Sequence, residues 1–106
     1  MIVVTTPSIQ GKDIRAYKGL VTGDIVVGVN FLKDWEAGIK DALGGRVGGY
    51  EKDLQEAKRL ALAQMTEQAE NIGANAIVGV NFQYAAVGQH GTMLLASAVG
   101  TAVVID

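Results

Sequence analysis

The chain has 106 residues, a formal net charge of −2 and no cysteine. That length supports one domain, residues 1–106, with a modest core, and the lack of cysteine excludes a thiolate metal site, a cysteine nucleophile and a disulfide framework. Nine scattered Lys and Arg residues, 6% aromatic content and a pI near 5.3 leave no electrostatic footprint for nucleic acid.

Residues 1–5 form a short β-branched run that ends at Pro7, so a first strand is expected at an edge or stops there. Residues 8–13, with Gly11, read as a turn. From 14 to 29 the chain alternates. Val21, Gly23, Ile25, Val27 and Val29 share one face, and Leu20, Thr22, Asp24 and Val26 the other, with a bend expected at Gly19 or Gly23. Asn30 reads as an N-cap. Leu32, Trp35, Ile39 and Leu43 then define a short helix that stops at Gly44 and Gly45.

The glycine-rich segment GGRVGG, residues 44–49, leads into the longest element, a helix over residues 49–72. Tyr50, Leu54, Ala57, Ala61, Met65, Ala69 and Ile72 recur at helical steps. Strong helix formers fill the rest. Glu51 and Asp53 are expected in the first turn, facing the positive end of the dipole, and Gly73 at the left-handed stop position. The stripe is thin and alanine-rich, so its partner must be flat and close, as a sheet is. Leu60 and Leu62 lie off the stripe and point to a second covered face.

A strand follows at 76–84, where Ala76, Val78, Val80, Phe82 and Tyr84 alternate with Ile77, Gly79, Asn81 and Gln83. Residues 87–92 read as a hairpin connection with Gly88 and Gly91. The last strand, 93–105, is apolar on both faces, which implies a covering neighbour on the second. The pentapeptide VGVNF occurs at 27–31 and again at 78–82. Similar packing demands account for it, with glycine where a helix crosses.

The N-terminus lacks a basic region followed by a long apolar stretch, so it does not read as a signal peptide. No uncharged apolar run reaches the ~18 residues of a membrane span. A cytoplasmic protein is expected. Hydrophobic content of 49% and a mean hydropathy of +0.25 are high for so small a chain and point to surface buried between subunits.

Chemistry has few candidates. His90 is the single histidine and sits in a polar hairpin. It reads as an exposed loop residue, or as one ligand of a site that would need two or three more. Asp34, Glu36, Asp41, Glu51 and Asp53 offer hard-ion ligands, or simply solvated helix faces. Ser8, Ser97 and the threonines have no local partner base. No nucleophile–base or paired-acid pattern is visible, which weighs against an enzyme. The sequence indicates no particular cofactor. The best candidate is GGRVGGYE, residues 44–51. A glycine loop ahead of a helix offers unpaired amides, and Arg46 adds a positive fork, so a small anion could bind there. The alternative is an interface turn in which Arg46 pairs with an acid of another subunit. The segment is neither a Walker loop nor a dinucleotide fingerprint.

Five pieces together, VTTPSIQGKDI (4–14), GLVTGDIVVG (19–28), GGRVGGYEK (44–52), GANAIVGV (73–80) and SAVGTAVVI (97–105), resemble the YbjQ-like family, whose label is heavy-metal-binding and whose biochemical role is not established. The likeness runs through nearly the whole chain in order. It implies a two-layer α/β fold related to the dodecin subunit, with a small antiparallel sheet on a helix. It also implies a ring-shaped homopentamer joined by extra short strands. Arg46, Tyr50 and Glu51 match the family's glycine-loop motif. The lack of cysteine and the lone His90 fit poorly with a soft-metal site. Three readings follow. The first is a non-enzymatic oligomer that binds a small anion at Arg46, Tyr50 and Glu51 near subunit boundaries. The second is a structural or adaptor ring without a ligand, and the third a metal binder using carboxylates.

Overall fold

The computed structural model describes residues 1–27, 47–87 and 93–106. The expected short helix with Leu32, Trp35, Ile39 and Leu43 lies outside these residues, as do residues 88–92 of the expected hairpin connection. The described elements are β1 (Ile2–Val3), β2 (Ile14–Val27), α1 (Val47–Asn71), β3 (Ala76–Val87) and β4 (Met93–Ile105). The strands form one sheet in the order β1-β3-β4-β2. β4 pairs antiparallel with both long neighbours, while β1 runs parallel to β3. The sheet is therefore mixed rather than antiparallel throughout. Residues after β1 prolong the parallel contact, with Val4 N–H donating to the Ile77 carbonyl and Gly79 N–H to the Thr6 carbonyl.

The helix lies over β2 and β4. Ala57, Ala61, Met65 and Ala69, spaced one turn apart, are buried. Ala61, Met65 and Ala69 pack with Val21, Ile77, Val80, Ala98 and Ala102. The thin stripe has the flat partner it requires: a Cβ built on Gly23 would stand 1.9 Å from the Ala61 carbonyl oxygen. Only glycine lets the helix sit this close. A smaller cluster, Ala76, Val78, Val103 and Ile105 with Val4, Ile9 and Ile14, forms on the opposite face, where the N-terminal segment folds over the end of the sheet.

Two glycines shape the strands. Gly19 has φ +127° and sits at a register shift between β2 and β4, which realises the bend expected at Gly19 or Gly23. Gly79 has φ +63°, and the register with β4 slips between Val78 and Asn81. This bulge changes the sequence reading of β3. Strict alternation put Ala76, Val78, Val80 and Phe82 on one face. The extra residue instead leaves Ala76 and Val78 in the small cluster and turns Val80 and Phe82 toward the helix with Ile77. An added Cβ on Gly79 would meet nothing within 4 Å, so that copy of VGVNF does not mark a helix crossing; the crossing is at Gly23.

The helix begins at Val47, two residues before the expected start, because Gly48 and Gly49 are helical rather than part of the loop. Glu51 and Asp53 consequently fall in the second turn instead of the first. Gly73 takes φ +84° just past the helix, as expected of a left-handed stop.

Candidate functional site

Tyr50 and Glu51 lie on the opening two turns of α1. Arg46, Gly44 and Gly45 lie outside the described residues, and so do His90, Asp34, Glu36 and Asp41. The first four amides of a helix have no intrahelical acceptor, so the start of α1 keeps the donor character the sequence suggested. Among the described residues, no three His, Cys, Asp or Glu side chains come together in a way that could hold a metal ion.

The sheet presents a surface that the sequence only hinted at. Opposite the helix, β4 exposes Met93, Leu95, Ser97, Val99 and Thr101, all half-buried. In register beside them stand Leu20, Thr22, Asp24 and Val26 of β2, and Asn81, Gln83 and Ala85 of β3. Apolar and polar side chains mix on this face, and one row across it is polar throughout: Asp24, Ser97 and Gln83 are direct neighbours, and Ser97 Oγ donates to Asp24 Oδ1 at 2.6 Å. The bond fixes the serine hydroxyl on a carboxylate.

On the helix side, the Phe82 and Tyr84 rings stack with centroids 6.4 Å apart. Lys58 Nζ stands 5.4 Å above the Phe82 ring. The helix surface carries an ion pair in which Arg59 donates twice to the Glu56 carboxylate, at 2.6 and 3.0 Å. These bonds hold the Glu56 carboxyl below the usual range and raise the Arg59 guanidinium further. Both groups are solvated, and the pair does no visible chemistry.

Asn75 sits between the helix stop and β3. Its Nδ2 donates to the Ile105 carbonyl at 2.9 Å, and its Oδ1 accepts from the Ile105 N–H at 2.7 Å. The side chain thus imitates a strand and anchors the end of β4. An Asn placed just after a helix stop and before a strand was the available signal. The Arg15–Asp106 ion pair ties the start of β2 to the C-terminus. No local spacing could have shown it, since the partners lie at opposite ends of the chain.

Among the described residues, a mixed four-stranded sheet packed on one helix defines an α+β protein of two layers. The chain belongs to the YbjQ-like family, since a family model described as "Putative heavy-metal-binding" matches residues 1–106. Among solved structures it is similar to the crystal structure of a protein with unknown function, of the DUF74 family, from Pediococcus pentosaceus. The two are 19% identical with a TM-score of 0.62, covering 100% of this chain and 98% of that one. At that identity the likeness speaks for the fold alone.

The donor set does not fit the heavy-metal description. Soft metals select thiolate, thioether and imidazole ligands. The chain has no cysteine and one histidine; of its three methionines Met65 is sealed in the core, which leaves Met1 and Met93 as the accessible thioethers.

Proposed function

We propose that the chain is a cytoplasmic, non-enzymatic subunit of a homo-oligomer, a ring of five as the family resemblance implies, that binds a small anion near Arg46, Tyr50 and Glu51. The observation that carries this reading is the open sheet face. Val99, Leu95 and Met93 on its central strand, flanked by Leu20 and Val26, give a lone subunit an apolar surface with nothing of its own packed over it among the described residues. A second copy of the chain is the natural cover for such a face. The anion belongs at the start of α1, where orphan amides and the positive end of the helix dipole come just after Arg46 in the sequence.

A structural ring without a ligand is the second reading, and the same open face favours it. Native mass spectrometry of the protein purified from cells separates the two. An oligomer that carries extra mass, lost in Arg46→Ala without loss of subunits, supports the binding reading. An oligomer that carries none, and that falls apart in Arg46→Ala, supports the scaffold. A monomer at every concentration refutes both.

A further inference from the structure

Strand β2 forms one edge of the sheet. An edge strand presents outward backbone amides to which a strand of another chain can bond. Two of these amides in β2 are already engaged. Thr22 N–H donates to Gln68 Oε1 at 2.8 Å, and Asp24 N–H donates to Gln64 Oε1 at 2.7 Å.

The spacing makes the arrangement possible. Four residues of helix rise about 6 Å, and two residues of strand rise about 6.6 Å. Residue order is reversed between the partners, so α1 runs antiparallel to β2 and offers one side-chain oxygen to each successive outward amide. Packing does not require these glutamines: both are exposed, while Ala61, Met65 and Ala69 make the buried contacts. The surroundings give the two bonds a purpose. The same helical row continues into Leu60 and Ile72, 39% and 41% exposed, and the strand carries Leu20 and Val26, 71% and 56% exposed, on either side of the bonded pair. A long edge strand with free amides and exposed apolar flanks is the combination that draws in a further strand.

We propose that Gln64 and Gln68 serve as a built-in substitute for an edge strand, closing β2 to strand addition by another polypeptide. The inference holds whether or not the chain assembles through its open face, and it restricts assembly at the β2 flank to side-chain contacts.

The test compares the Gln64→Ala/Gln68→Ala double variant with wild type and with a Gln55→Ala/Glu67→Ala surface control. Alanine removes the acceptors, adds no apolar reach and favours the helix, so the fold is kept; each single variant checks one amide at a time. Amide hydrogen exchange is read at Thr22 and Asp24, and mass by sedimentation across a concentration series. We expect exchange at both amides to quicken about tenfold or more, the scale of losing one well-formed bond. Species heavier than the wild-type assembly should grow with concentration in the double variant only. Unchanged exchange overturns the proposal, since the bonds then do not form in solution. Faster exchange with wild-type masses overturns it too, since the bonds then form without guarding the edge.

Discussion

Gly23 and Gly79 are both glycines inside strands, and their substitutions should behave differently. At Gly23 an added methyl meets the backbone oxygen of Ala61, which cannot rotate away. Gly23→Ala must push α1 off the sheet, and we expect a loss of about 2–4 kcal/mol, read as a lower Tm in thermal denaturation. At Gly79 there is room but φ is +63°. Gly79→Ala should cost about 1 kcal/mol and Gly79→Asn less, because asparagine tolerates the left-handed region. Asn75→Ala removes both bonds to Ile105 and leaves a partly buried backbone pair without partners; about 1–3 kcal/mol should be lost in the same measurement. Glu56 supplies a pH prediction. Its folded pKa is depressed, first by the hydrogen bond from Arg59. The pair's contribution is therefore present above the unfolded carboxyl pKa and is lost as pH falls through the folded value. An NMR titration should place Glu56 below the ordinary glutamate range, and Arg59→Gln should return it there. Added salt should shrink the difference, since both groups are in water.

At the scale of elements, the helix was the most legible part of the chain. Of the stripe named from spacing, Ala57, Ala61, Met65 and Ala69 are buried against one partner, while Leu54 is half-buried and Ile72 is exposed at the helix end. Met65 is the one large side chain among the four, so Met65→Ala should leave a cavity that backbone-close alanines cannot fill. We expect a loss of about 2–4 kcal/mol by denaturant titration. Strand β4 was legible for a similar reason, with alternate residues buried from Leu94 to Ala102. The face assignment in β3 was not. One residue in a left-handed conformation at Gly79 reverses the parity of everything after it, and a glycine in a strand does not announce whether it bulges or simply packs. The parallel pairing of β1 was likewise hidden. Its two residues are too few to carry a pattern, and the partner lies more than seventy positions away. At the candidate site, Tyr50 and Glu51 were correctly placed near a helix start, yet the start came earlier than the glycines suggested. Helix propensity penalises glycine without forbidding it, so Gly48 and Gly49 were a weak boundary signal.

For the whole molecule, the question is what the open sheet face is for. Its central residues are half-buried by their own neighbours, so a single subunit already shields part of them, and the remaining apolar area is what association would remove from water. Burying a valine or leucine fully stabilises by roughly 1.5–3 kcal/mol, so each half-buried side chain adds only part of that, and several per subunit must act together to offset the cost of association. A charge introduced there has no counter-charge and must either stay hydrated or be buried unpaired, which costs several kcal/mol. The row of Asp24, Ser97 and Gln83 differs, because its carboxylate already accepts a hydrogen bond from Ser97. Val99→Asp and Leu95→Asp should therefore reduce the native mass toward the monomer at concentrations where wild type is assembled, with circular dichroism unchanged. Glu67→Lys, a charge change on the exposed side of α1, should leave the mass alone. If the two face variants keep the wild-type mass, assembly uses another surface and the open face must be explained by a different partner. If their mass falls while any mass carried beyond the polypeptide is also lost, the proposed anion site depends on the assembled form. A fall in subunit number with that extra mass retained per chain would place the proposed site within one subunit.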